Sequence, residues 1–211
     1  MDKSPKQGEA ILSLNRREGL NLPSIGSMFK NAVSVIESLT DNHKNPLHVG
    51  ETMACWTYLN FVSGIIGYME VAIHMTTDSE LKKQLQNALQ VPLSHKKELS
   101  QFMRKEGVSL PDMPEHKPES NPNDVPLGAK LTDNEIANTI NINFVVAADM
   151  CAGAASQSLR TDVAIMFLRY QIDKLSLGLK FKDLMQQKGW LKIPPFYHPP
   201  GSLYKIKVKK G

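Results

Sequence analysis

Between residues 107 and 132 stand Pro111, Pro114, Pro118, Pro122 and Pro126, five of the 13 prolines in the 211-residue chain. Each proline fixes its own φ and lacks an N–H, so no helix interior can run through this segment. The segment is extended. Long helical patterns flank it on both sides. The chain therefore reads as two helical hairpins joined by one crossover.

On the N-terminal side a helical pattern runs from Leu47 to about Thr76. Thr77-Asp78-Ser79-Glu80 opens a second helix, with acids at the positive end of its dipole. It continues through Leu81, Leu85, Leu89, Leu93, Leu99 and Phe102 to a stop at Gly107. Pro92 lies in its interior, where a kink is expected. Beyond the crossover, Thr132 and Glu135 have capping-box spacing for a third helix that reaches about Ser158. A fourth covers about Thr161 to Lys188 and stops at Gly189. Sliding the chain by 82 residues sets Gly107 on Gly189, Glu80 on Asp162, Leu85 on Phe167 and Met103 on Met185. Apolar falls on apolar and acid on acid, so the hairpins are equivalent.

A helix of roughly 29 residues is about 44 Å long. An extended crossover of about 26 residues reaches about 85 Å, enough to run the whole bundle. Helices two and three are then parallel, and one and three antiparallel. The expected fold is all-α: a ferritin-like four-helix bundle over 46–198 with a long proline-rich crossover. Before it, 1–45 reads as a flexible arm with one amphipathic helix. Apolar residues there fall at 25, 28, 29, 32, 33, 36 and 39, a single helical stripe that needs a cover. After it, 199–211 is a basic tail.

Composition narrows the function classes. Hydrophobic residues at 41% suffice for a core. The net charge is +4, but Lys205, Lys207, Lys209 and Lys210 crowd the tail. The body is near neutral, and nucleic acid is not expected as a partner. The apolar stretch Phe61 to Ile73 is interrupted by Ser63, Gly64, Gly67 and Glu70, so no membrane span is expected. The first 19 residues lack the apolar core of a secretory signal, and Cys55 and Cys151 make no disulfide framework. Cytoplasmic synthesis is expected.

A bundle of this type invites a di-iron centre, which needs Glu-x-x-His on two helices and a Glu from each of the others. No Glu-x-x-His occurs, and only Asp149 and Asp173 lie near the middle of helices three and four. No metal or cofactor is expected; His48 and Glu51 are the weak candidates, three apart on one face. Glu51, Glu70 and Asp173 read as polar groups satisfied inside or at the edge of the bundle. The interior as a whole reads as apolar. Cys55 and Cys151 fall at similar heights as buried thiols. Gly64 and Gly67, with Ala147, Ala148, Ala152 and Ala154, read as sites of close helix approach. There is no P-loop, Gly-x-Ser-x-Gly or Gly-x-Gly-x-x-Gly.

Leu47-His48-Val49-Gly50-Glu51, followed by Trp56, resembles the opening of a ferritin-like domain family from spore-forming bacteria. That family is described as spore-coat-protein-F-like and of unknown function. Arg104 to Pro111, Asp124 to Ala129, Asp133 to Ile136, Arg160 to Phe167 and Lys188 to Pro195 are similar to its further motifs, in order. The resemblance covers about residues 46–198. It implies a four-helix bundle and a link to spores, with no activity to carry over. Trp56 would be a core anchor, His48 and Glu51 the start of helix one, Gly107 and Gly189 the hairpin ends, and Trp190 part of the closing motif. The expected function is a non-enzymatic structural or interaction protein, with the spore coat as the setting the resemblance implies. It would self-associate through arm helix and tail, forming a homo-oligomer or meeting other coat proteins. The alternatives are a ferritin-like metal-binding protein or oxidoreductase, and a tail that binds acidic surfaces.

Overall fold

Three of the four helices are opened by a side chain that accepts the orphan N–H groups of the first turn. In the computed structural model, which describes residues 45–197 together with Ser27, Asn31, Ser34 and Val35, these helices are α1 (Val49–Met75), α2 (Ser79–Lys105), α3 (Asp133–Gln157) and α4 (Thr161–Gln187). His48 caps α1 and Thr132 caps α3, each with a glutamate three residues on reaching back to the cap N–H. Asp78 caps α2. Helix α4 starts after Arg160, which supplies no side-chain cap. The bounds lie within two residues of those expected, and α2 continues through the buried Pro92.

The two hairpins end alike. Gly107 and Gly189 hold φ of 73° and 71°, the left-handed conformation that a side chain resists. At the first, Val108 N–H donates to the Met103 carbonyl and Gly107 N–H to Arg104. At the second, Trp190 N–H donates to Met185 and Gly189 N–H to Gln186. Every partner is displaced by 82 residues, so the equivalence seen in sequence extends to individual hydrogen bonds.

Ion pairs across the hairpins follow the same displacement with the charges exchanged. Glu106, closing hairpin one, takes a two-pronged contact from Arg160, which opens hairpin two (2.6 and 3.0 Å). Lys188, closing hairpin two, pairs with Asp78, which opens hairpin one, at 2.8 Å, and with Glu80 at 3.1 Å.

These contacts fix the topology. The start of α1 meets the α3–α4 turn, and its end meets the start of α3 through Thr76 and Asp133. Hence α1 is antiparallel to α3, and α2 runs parallel to α3. Neighbours around the square are α1–α2, α3–α4, α1–α3 and α2–α4. The crossover carries one short 3-10 turn, Pro122–Asp124, and traverses the bundle. Val108, Leu110 and Met113 pack at the Arg160 end, and Leu131 packs at the Thr76 end. Midway, Glu70 accepts the Lys117 N–H (2.9 Å) and contacts His116.

The core falls into two clusters. Towards the Arg160 end lie Cys55, Tyr58, Leu59, Leu99, Cys151 and Phe167, among others. Towards the Thr76 end lie Met69, Leu81, Leu85, Ile136, Phe144 and Phe181. Gly64 and Gly67 do not serve close packing among the described residues, because an added Cβ at either would meet none of them within 4 Å. Gly178 does, with Phe144 Cβ 3.7 Å away. The amphipathic arm helix expected over 24–36 lies outside the described residues except Ser27, Asn31, Ser34 and Val35, which are helical. The basic tail 199–211 lies outside them entirely.

Candidate functional site

The buried ionisable side chains of this bundle, Glu51, Arg160, His95 and Lys174, gather in two places, both in its Arg160 half. The first is at the end. Glu51 is buried, and its carboxylate joins two turns. One oxygen accepts the His48 N–H at 3.1 Å. The other accepts both Leu159 and Arg160 N–H at 2.8 Å. The α3–α4 turn thus takes its cap from a neighbouring helix, which explains why Arg160 need not supply one. Arg160 is itself buried between Asp162 and Glu106, which hold its guanidinium charged, and it lies over Phe102. It also donates to the Asn45 carbonyl at 3.4 Å. His48 and Glu51 are engaged here as cap and clamp. Gly50 between them is required, since a Cβ would come within 2.7 Å of the His48 ring.

The second place is mid-bundle. Tyr58 of α1 and Nδ1 of His95 of α2 share a hydrogen bond of 2.9 Å. Nε2 of His95 meets Asp173 of α4 at 3.1 Å. Tyr58 and His95 are buried, while Asp173 is half-exposed, so a hydrogen-bonded chain leads from solvent to the centre. Tyr170 stacks on His95 at 3.9 Å between centroids, and on Tyr58 at 5.6 Å. Lys174 is buried beside this chain, one helical turn after Tyr170. Among the described residues its ammonium forms no ion pair. Cys151 lies beside both Tyr58 and Lys174.

Burial governs the protonation of this group. It lowers the imidazole of His95 against the pull of Asp173, so the ring is neutral. It lowers Lys174 to about 8 and pushes both thiols, Cys55 and Cys151, up to about 12. Tyr58 and Tyr170 are raised as well, chiefly by burial. The thiols are thus protonated and unreactive at neutral pH. A ferritin-like di-iron centre would draw on this same level, and the donor set does not fit one. It offers one imidazole, one edge carboxylate and a buried cation where the cage needs several carboxylates. Among the described residues no three His, Cys, Asp or Glu side chains converge as metal ligands.

Two sequence expectations need correction. The interior is not uniformly apolar, because His95, Lys174 and Glu51 are buried in it. Trp56 is not a core anchor. It is 39% exposed and belongs to neither cluster. Tyr58, two residues on, faces inward instead. Trp190 packs partly buried against the Thr76-end cluster, directly after the Gly189 turn. The readings of Glu51, Glu70 and Asp173 as satisfied polar groups agree with their hydrogen bonds. Sequence reasoning missed Lys174, which sits on α4 at the spacing of Phe167, Tyr170, Gly178 and Phe181, all of them buried.

A groove of about 350 Å³ opens between α1 and α3, lined by Gly50, Met53, Thr57, Met150, Gly153 and Gln157 among others. Met53 on its rim is 60% exposed, and Ile142 and Val146 farther along α3 are exposed too. No described helix is long and apolar enough to cross a membrane.

The family model described as "Protein of unknown function (DUF3231)" matches residues 37–203. The "Uncharacterized protein YvdQ" of Bacillus subtilis (strain 168) is 30% identical over 153 residues, covering 72% of this chain and 89% of that protein. The crystal structure of a "putative spore coat protein" from Bacillus halodurans C-125 is 35% identical. It matches 73% of this chain and 97% of its own, with a TM-score of 0.71.

Proposed function

This chain belongs to the DUF3231 family of proteins of unknown function, and from that premise we propose that it is a non-enzymatic structural protein of the spore coat that self-associates through its N-terminal arm and basic tail. The spore-coat description of its relative from Bacillus halodurans supports the setting. The observation that carries the reading is the open α1–α3 groove with exposed Met53 on its rim, and the exposed Ile142 and Val146 farther along α3. An apolar face left open on a bundle whose interior is already filled is an interaction surface. The inert thiols and the engaged His48 and Glu51 support a scaffold over a catalyst. In this reading 46–198 is the bundle, and 1–45 and 199–211 are its assembly arms.

Light scattering on the full-length protein over a range of concentrations tests self-association. The expected mass is a multiple of 23.5 kDa. A mass of one chain at every concentration overturns the reading.

A further inference from the structure

We infer that the outer face shared by α1 and α3 is the seat of a second copy of this chain, bundle against bundle, each meeting the same face of the other. The inference rests on the self-association reading and adds a contact through the bundle to those of the arms.

Helix α1 is uncharged on its outer side as well as its inner one. Histidine aside, its only ionised side chains are Glu51 and Glu70. Both are engaged within the chain, Glu51 with the α3–α4 turn and Glu70 with the crossover. Its exposed positions are Val49, Met53, Trp56, Asn60 and the residues between them, ending at Gly64, and none carries a charge. On α3, Met150, Gly153 and Gln157 line the groove against α1, and the exposed Thr139 and Val146 continue their row. Asp149 is the one charge exposed on α3 between Thr139 and Gln157. Its spacing sets it with Ile142 and Val145, on the side turned from α1. The other two helices differ: α2 exposes Lys83, Lys97 and Lys105, and α4 exposes Arg169, Lys180 and Asp183. A helix without a charged face is one that is covered on both sides. Lack of charge combined with Met and Trp is the composition of an interface centre.

Size and charge select the occupant. The uncharged face runs from Val49 to Gly67 on α1 and from Thr139 to Gln157 on α3, about 27 Å of helix on each. With two helices side by side it is about 20 Å wide. Two copies meeting on it bury about 1,000 Å² in all, the size at which specific interfaces begin. A single helix is about 10 Å across and covers half of the width. The same face on a second copy matches in length and width and sets no charge against the groove. Like meeting like is the closed, two-fold arrangement. The open space above Gly64 and Gly67 lets the partner's side chains reach the α1 backbone.

Light scattering on full-length variants tests this. Phe29→Glu with Val33→Glu breaks the apolar stripe of the arm, and at least two chains are expected to remain together. A mass of one chain assigns the association to the arm and overturns the inference. Adding Thr57→Glu and Gly64→Glu, both at exposed positions, should then halve the mass with unchanged circular dichroism. Should that variant lose helicity, Val146→Glu on α3 gives the same test. If the wild type self-associates and the face substitutions leave the mass as it was, the bundle contact is overturned while self-association stands. If the wild type is a single chain at every concentration, self-association itself has failed.

Discussion

The two halves of this interior are built on different principles. The Thr76 half buries no charged group: Leu81, Leu85, Ile136, Ile140, Phe144 and Phe181 interdigitate with Met69 and Met185. The Arg160 half mixes apolar packing with Glu51, Arg160, His95 and Lys174, all buried. Apolar contacts are non-directional and tolerate a shift of one helix past another. Buried hydrogen bonds do not, because a displaced Tyr58 or Glu51 would leave its partner unsatisfied. The uncharged half supplies cohesion. In the polar half, Tyr58, His95 and Asp173 key three helices in register.

The largest effect is expected in the apolar cluster. Phe181→Ala removes a fully buried ring that meets Phe144 edge-on. It should destabilise the protein by about 4 kcal/mol, read as a lower urea midpoint, with little dependence on pH.

Lys174 should respond with the opposite sign. Its folded pKa of about 8 lies below the ordinary lysine value. The unfolded chain therefore holds the proton more tightly, and burying it costs stability below pH 8. Lys174→Met should stabilise the fold at pH 7 by about 3 kcal/mol. In the wild type, stability should rise with pH from about 8 to about 10.5, and that slope should vanish in the variant. Urea titrations at successive pH values read both effects.

His95 gives the acid-side counterpart. Its folded pKa is lowered, so its contribution is present above the unfolded value of about 6.5 and is lost as pH falls below it. His95→Leu should cost about 2 kcal/mol at pH 7 by leaving the Tyr58 hydroxyl unpaired. It should also flatten the stability profile below about pH 6.5. An unchanged acid slope would show that His95 does not govern it.

The smallest effect sharpens the boundary of the core. Trp56→Ala should cost about 1 kcal/mol, well short of the loss expected for a buried aromatic. Thermal unfolding distinguishes the two.

Much of the architecture was legible in the chain. Caps at Asp78 and Thr132, stops at Gly107 and Gly189 and the prolines of the crossover act locally, and local signals survive without knowledge of neighbours. The 82-residue displacement pointed to equivalent hairpins, and the hydrogen bonds at their ends recur with it. What escaped was set by partners distant in sequence. Trp56 and Tyr58 sit two residues apart, and only the position of α2 and α4 decides which faces inward. Lys174 carries a charge that composition assigns to solvent, yet its spacing from Tyr170 and Gly178 places it inside. Gly64 and Gly67 looked like packing sites because a missing side chain reads the same whether a neighbour is present or absent.

The exchanged charges at the two hairpin closures have a consequence for a severed molecule. Cut within the exposed crossover, the chain would yield two similar halves, each with an apolar face to hide. Two copies of the first half would set Glu106 against Asp78, and two copies of the second would set Lys188 against Arg160, like against like in both cases. Only the mixed couple brings opposites together, so the fragments should recognise each other and shun themselves.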